Sequence, residues 1–162
     1  MLDFQVESPI QNCPYAEPTK HWRIVAGETP QLLDGRRPAH YFHRRAGGAE
    51  EDSEDVGTEI TLIMVNRIRE RVRQWVADGH PGASRISLEL LAWWQREGRA
   101  QRLFFAQLEA ASTVIFLTEA RADYLQGIEV RPDAPSERQA AEGVKPLLRW
   151  ACKMATGTGK TT

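Results

Sequence analysis

The feature that most constrains this chain is the run Thr156-Gly157-Thr158-Gly159-Lys160-Thr161. Its glycines let the backbone curl until successive N–H groups point inward and form an anion-holding nest. Lys160 brings a compact positive charge to the β- and γ-phosphates of a nucleoside triphosphate, and Thr161 brings a hydroxyl for magnesium. Such a loop belongs between a buried strand and the positive N-terminus of a helix. The preceding residues fit that requirement. Leu147-Leu148-Arg149-Trp150-Ala151-Cys152-Lys153-Met154 is short, mostly apolar and bounded by Pro146 and the glycine turn, which predicts a strand buried in a sheet. The general pattern G-x-x-x-x-G-K-[ST] is broken at its first position, where Met154 stands. A chance Gly/Thr turn is the blander account, and the strand before it and the Gly-Lys-Thr close weigh against that account.

Upstream, the chain divides by composition. Residues 1–57 read as irregular, because prolines at 9, 14, 18, 30 and 38 and glycines at 27, 35, 47, 48 and 57 break regular structure. Arg36, Arg37, Arg44 and Arg45 with His40 and His43 form a basic stretch beside the acidic run Glu50, Glu51, Asp52, Glu54 and Asp55. The acidic run suits a solvated linker. Residues 58–98 read as a helical extension. Thr58 is the expected N-cap of a first helix, with Ile60, Met64, Ile68, Val72 and Trp75 at helical spacing down to Gly79. After His80-Pro81-Gly82, a second helix opens at Ser84 or Ser87 and ends before Gly98. A third is expected from about Arg99 to Ala120, and 121–143 is a polar connection with some helix.

Charge limits what this chain can hold by its overall field. With 21 Lys and Arg against 22 Asp and Glu, the net charge is −1, so nucleic acid would have to meet local patches. Cys13 and Cys152 give neither a disulfide framework nor zinc spacing and read as thiols in a reducing compartment. No stretch approaches the ~20 apolar residues of a membrane span, nor is there a basic start followed by an apolar run. A cytoplasmic protein without membrane contact is expected.

Met154-Ala155-Thr156-Gly157-Thr158-Gly159-Lys160-Thr161 resembles motif I of superfamily 2 helicases of the DEAD/DEAH-box kind. It is most similar to the motor subunits of type I and type III restriction enzymes, in which a methionine commonly opens the loop. Asn12-Cys13-Pro14-Tyr15-Ala16-Glu17-Pro18-Thr19-Lys20-His21-Trp22 resembles the N-terminal signature of bacterial DEAD/DEAH-box helicases or type III restriction subunits. Asn66–Val72 (NRIRERV) and Arg102–Ala110 (RLFFAQLEA) are also similar to that group.

The resemblance implies an α/β protein, a mainly helical N-terminal region leading into an incomplete RecA-like P-loop motor domain over 99–162. It implies ATP and Mg2+ as cofactors. Thr156, Gly157, Thr158, Gly159, Lys160 and Thr161 would hold the nucleotide, with Lys160 catalytic and Thr161 on the metal. In such motors a glutamine before the first strand reads the adenine edge, since a carboxamide both donates and accepts. Gln107 matches that position, the plain alternative being an exposed helix glutamine. The implied partner is nucleic acid, DNA before RNA, and a methyltransferase subunit is admissible. The family would also supply an Asp-Glu-x-His-type motif, a second motor domain and the helix after the loop, none of which is among these residues. The expectation is therefore a helicase or restriction translocase N-terminal part that binds ATP without hydrolysing it at a useful rate.

Two other classes compete. A small-molecule kinase would carry its loop near the start rather than after about 150 residues. A truncated, non-catalytic remnant would act at most as a binding module. Among remaining motifs, His21, His40 and His43 lack neighbours at metal-ligand spacing and read as surface histidines. Arg67 with Arg71, and Arg69 with Arg73, face outward from the first helix and either contact phosphates or form a solvated face. Trp75, Trp93 and Trp94 read as core, and Trp22 as open.

Overall fold

The computed structural model describes residues 11–25, 27–43, 58–130, 132–154 and 158. Within them the chain is mixed α/β, with four helices and two small antiparallel sheets. The first sheet pairs β1 (Lys20–Arg23) with β2 (Gln31–Asp34), and the second pairs β3 (His40–His43) with β4 (Thr58–Thr61). These strands correct the expectation of an irregular N-terminal region. The prolines flank the strands instead of interrupting them: Pro18 precedes β1, Pro30 abuts β2 and Pro38 separates β2 from β3. Between them the sequence places aromatic, β-branched and cross-strand charged pairs, such as Tyr41 opposite Ile60 and Lys20 opposite Asp34. Gly35, at φ +86°, closes the first hairpin by donating its N–H to the Thr19 carbonyl at 2.6 Å.

Thr58 is not a helix cap but the first residue of β4, and α1 runs over Ile63–Ala77. The physical reason is Asn66. Its side chain accepts from Ala39 N–H at 2.7 Å and donates to the Ala39 carbonyl at 3.1 Å, which also accepts from Leu62 N–H at 2.8 Å. Pinned to the residue before β3, the chain stays extended until Leu62 and only then turns helical.

Helix α2 (Arg85–Gln95) opens at Ser84, whose Oγ accepts from Ser87 N–H at 3.2 Å. Helix α3 (Phe105–Glu119) is followed by short α4 (Glu137–Ala141). Helices α1 and α2 both pack on α3. At the centre, Trp75 of α1 and Phe116 of α3 are fully buried, ring centroids 5.7 Å apart in a T-shaped contact. Val72, Ile68, Ile115 and Leu125 close around them.

The turn after α1 is tightly specified. Trp75 Nε1 donates to the Pro81 carbonyl at 2.9 Å, and the His80 ring stands edge-on to Trp75 at 4.7 Å. His80 itself adopts φ +64°. At Gly82, φ +95°, a Cβ would lie 2.6 Å from the Glu119 carbonyl oxygen and 2.8 Å from Arg121 N. Glu119 also spans to α2, accepting from Ser84 N–H at 2.6 Å and Ser87 Oγ at 2.8 Å, which holds its carboxyl below the usual carboxylate range.

The expected buried strand over 147–154 is absent. Leu147 makes only an isolated antiparallel bridge with Asp133, at 2.9 and 3.2 Å, and 148–154 has no regular structure. A strand needs neighbours for its N–H and C=O groups, and Asp133 is the only one among the described residues. Charge also works against burial: Arg149 reaches out to Asp133 at 3.4 Å, while Leu147 and Leu148 stay exposed. No helix among the described residues is long and apolar enough to cross a membrane.

Two outcomes are expected. Gly82→Ala should lower stability by about 2–4 kcal/mol in a denaturant titration, combining φ strain with a backbone collision. His80 Nε2 is buried without a partner among the described residues, and burial holds its pKa below the ordinary ~6.5. The unfolded chain therefore takes up the proton first. Stability should decline as pH falls below ~6.5, ahead of the loss from Glu17 and Glu119 at carboxylate pH. Thermal melts of His80→Asn, which tolerates the left-handed conformation, should show that first slope flattened.

Candidate nucleotide site

The loop 12–18 is held by its first residue. Asn12 Oδ1 accepts from Thr19 N–H at 2.9 Å and Lys20 N–H at 3.1 Å, and its Nδ2 donates to the Lys20 carbonyl at 2.9 Å. The loop then lies across the N-terminus of α3, where Phe105 N–H donates to the Pro14 carbonyl at 2.8 Å. That satisfies one of the helix's four orphan donors. Tyr15 packs on Phe104 at 5.4 Å, and the Arg102 guanidinium covers its ring at 4.5 Å.

A charge network locks the same corner. Arg36 forms a two-pronged ion pair with Glu109 of α3, with Nη2 donating to Oε2 at 2.6 Å and Nη1 to Oε1, and lies 3.6 Å from Glu17. Glu17 in turn takes both Arg73 nitrogens, Nε at 3.1 Å, and Arg73 keeps the Glu17 carboxyl below its usual range. Burial works against the charge of Arg36, but Glu109 and Glu17 outweigh it and raise its pKa above the ordinary arginine value. Burial lowers that of Arg69, helped by the neighbouring charge of Arg36. Arg36 is thus no part of a solvated basic stretch. Neither do the α1 arginines form one free face: Arg73 is paired, and Arg67 donates to the Gly127 carbonyl at 2.9 Å. Arg44, Arg45 and the acidic run 50–55 lie outside the described residues.

Between the loop 12–18 and α3 lies a cleft of about 230 Å3. Asn12, Cys13, Pro14, Ala16 and Pro18 form one wall and Phe104, Phe105 and Ala106 the other, and Thr158 stands at its border. The volume suits one planar ring system and falls below the ~300–1,000 Å3 of pockets that take whole drug-sized ligands. Thr158 is the single residue of the predicted phosphate loop within the described set; Thr156, Gly157, Gly159, Lys160 and Thr161 lie outside it.

Gln107 follows Ala106 directly, at the third position of α3, half-buried. Its Oε1 accepts from Phe104 N–H at 2.8 Å, so it caps the helix that forms the cleft wall. Phe104 has no side-chain acceptor to reciprocate, which leaves Gln107 as the polar half of the cap. His21 binds the Gly35 carbonyl at 2.9 Å and His40 the Pro38 carbonyl at 3.0 Å. Among the described residues no group of three or more His, Cys, Asp or Glu is placed to hold a metal ion.

Spacing could not have revealed Arg36 and Glu109 as partners, since they are 73 residues apart. Glu109→Ala leaves the half-buried Arg36 guanidinium with only its 3.6 Å contact to Glu17 and should cost about 2–3 kcal/mol by chemical denaturation, less than for a fully buried pair. Double replacement with Arg36→Met should recover part of that loss. Comparison of the chain with protein-family models, with curated proteins and with solved structures finds no match.

Proposed function

We propose that this chain is the ATP-binding N-terminal part of an ATP-dependent DNA helicase or translocase, with a restriction system as its setting. The carrying observation is that Thr158 borders the cleft walled by the loop 12–18 and the start of α3. Three segments that are remote in sequence thereby share one small site. In this reading the cleft takes the adenine, and the loop continuing through Gly159, Lys160 and Thr161 takes the phosphates and magnesium. The incomplete RecA-like domain would cover 99–162 and include that loop.

Gln107 supports the assignment by its chemistry. A carboxamide next in sequence to the cleft-lining Ala106 is of the kind that accepts from the adenine amino group and donates to a ring nitrogen. ATP bound here would supply the phosphoanhydride energy, while this chain's residues orient the base and neutralise phosphate charge. Hydrolysis also needs a magnesium-holding carboxylate and an arginine finger, so these 162 residues are proposed to bind ATP without turning it over.

Titration with a fluorescent ATP analogue tests the assignment. Lys160→Ala should weaken binding at least tenfold, and unchanged affinity would overturn the proposal. Gln107→Glu keeps the capping oxygen but loses the Nε2 donor. It should cut the preference for ATP over GTP by about 5- to 150-fold, the range for one bidentate base contact, while leaving the melting temperature near that of the parent chain.

A further inference from the structure

Helix α2 turns Ser87 and Leu91 inward and leaves a second apolar stripe outside. Ile86, Leu90 and Trp93 are 70%, 42% and 50% exposed. Their spacing of i, i+4 and i+7 puts them within about 60° of one another around the helix. Trp93 therefore departs from the core placement expected of it.

Charge around the stripe is uneven. At its start, Arg85 and Glu89 neutralise each other at 2.8 Å. At its end, the Arg96 guanidinium lies 3.7 Å from the Trp93 ring centroid and that of Arg99 5.8 Å, with Arg99 Nη1 donating to the Trp93 carbonyl at 3.5 Å. Neither Arg96 nor Arg99 forms an ion pair among the described residues. The stripe thus ends in two arginines without an ion pair among the described residues, against the single neighbouring carboxylate of Glu97.

We propose that this face of α2 docks an amphipathic helix of a partner protein, with apolar anchors at i, i+4 and i+7 and acidic residues beside the last anchor. Three side chains at helical spacing match the helix-on-helix mode of recognition. The Trp–Arg cluster supplies the residue types that dominate interface energetics. The net positive end formed by Arg96, Glu97 and Arg99 selects acidic over basic partners. Nucleic acid fits less well, because Arg96 already covers one face of the Trp93 ring and Ile86 and Leu90 offer no ring on which a base could stack.

The probe is a fluorescein-labelled helical peptide of about 20 residues, with Leu at the three anchor positions and Glu at the flanks, read by fluorescence anisotropy against the full chain. Saturable binding is expected, weakened at least tenfold by Trp93→Ala and by the pair Arg96→Glu and Arg99→Glu. A peptide with Lys in place of Glu should bind the parent chain at least tenfold more weakly and recover on the charge-reversed pair. Ile86→Glu, at a largely exposed position, gives a second variant should Trp93→Ala disturb folding. Absence of saturable binding, or equal binding of acidic and basic peptides, overturns the proposal. So does self-association in sedimentation that Ile86→Glu abolishes, which would make the occupant a second copy. Binding of a single-stranded oligonucleotide that Trp93→Ala abolishes would likewise overturn it.

Discussion

The corner of this protein that faces the candidate site is built around one guanidinium. Arg36 arrives from the turn after the first hairpin, Glu109 from the second turn of α3, and Glu17 from the loop 12–18, which in turn holds Arg73 of α1. Each element is short or irregular: a four-residue strand pair, a loop with two prolines, a helix terminus. None buries enough apolar surface to fix its own position, and an isolated two-stranded sheet is marginal in water. The ion-paired cluster supplies directional, charge-assisted contacts where the apolar core does not reach. The cleft geometry follows from it, since both walls are attached to that cluster.

The apolar core sits elsewhere, around Trp75 and Phe116, and is held by a different device. The turn His80-Pro81-Gly82 folds back over the Trp75 indole, and Glu119 at the end of α3 reaches the first turn of α2. Three helices therefore meet through one buried ring pair and one carboxylate. This division of labour places conformational specificity in polar contacts at both ends of α3, with hydrophobic burial in the middle.

Much of the helical part could be read in advance. Period-3.6 spacing found the stretches that became α1, α2 and α3, and of the two serines expected to open α2, Ser84 or Ser87, it is Ser84 that caps it. The strands were hidden for the opposite reason. Strands of four residues carry almost no periodic signal, and the β3–β4 pair is backed by Asn66 clamping Ala39 across 27 residues. The apolar run at 147–154 misled because pattern alone cannot say whether a neighbouring strand exists to pair with it. For the site, Thr158 was expected from the glycine-rich motif and Gln107 only from the family resemblance. Asn12, Glu17, Arg36 and Glu109 were not, because their roles arise only from contacts between distant segments.

The clamp at Asn66 also sets how this chain can vary. It fixes the chain on both sides of residues 44–57, tying Ala39 before β3 to Leu62 after β4. Once the two ends of a connection are pinned, its length enters folding only through loop-closure entropy, which grows as a logarithm. Doubling such a connection costs only about 0.6 kcal/mol. The clamp, rather than the length of chain between β3 and β4, is therefore what holds this strand pair beside α1.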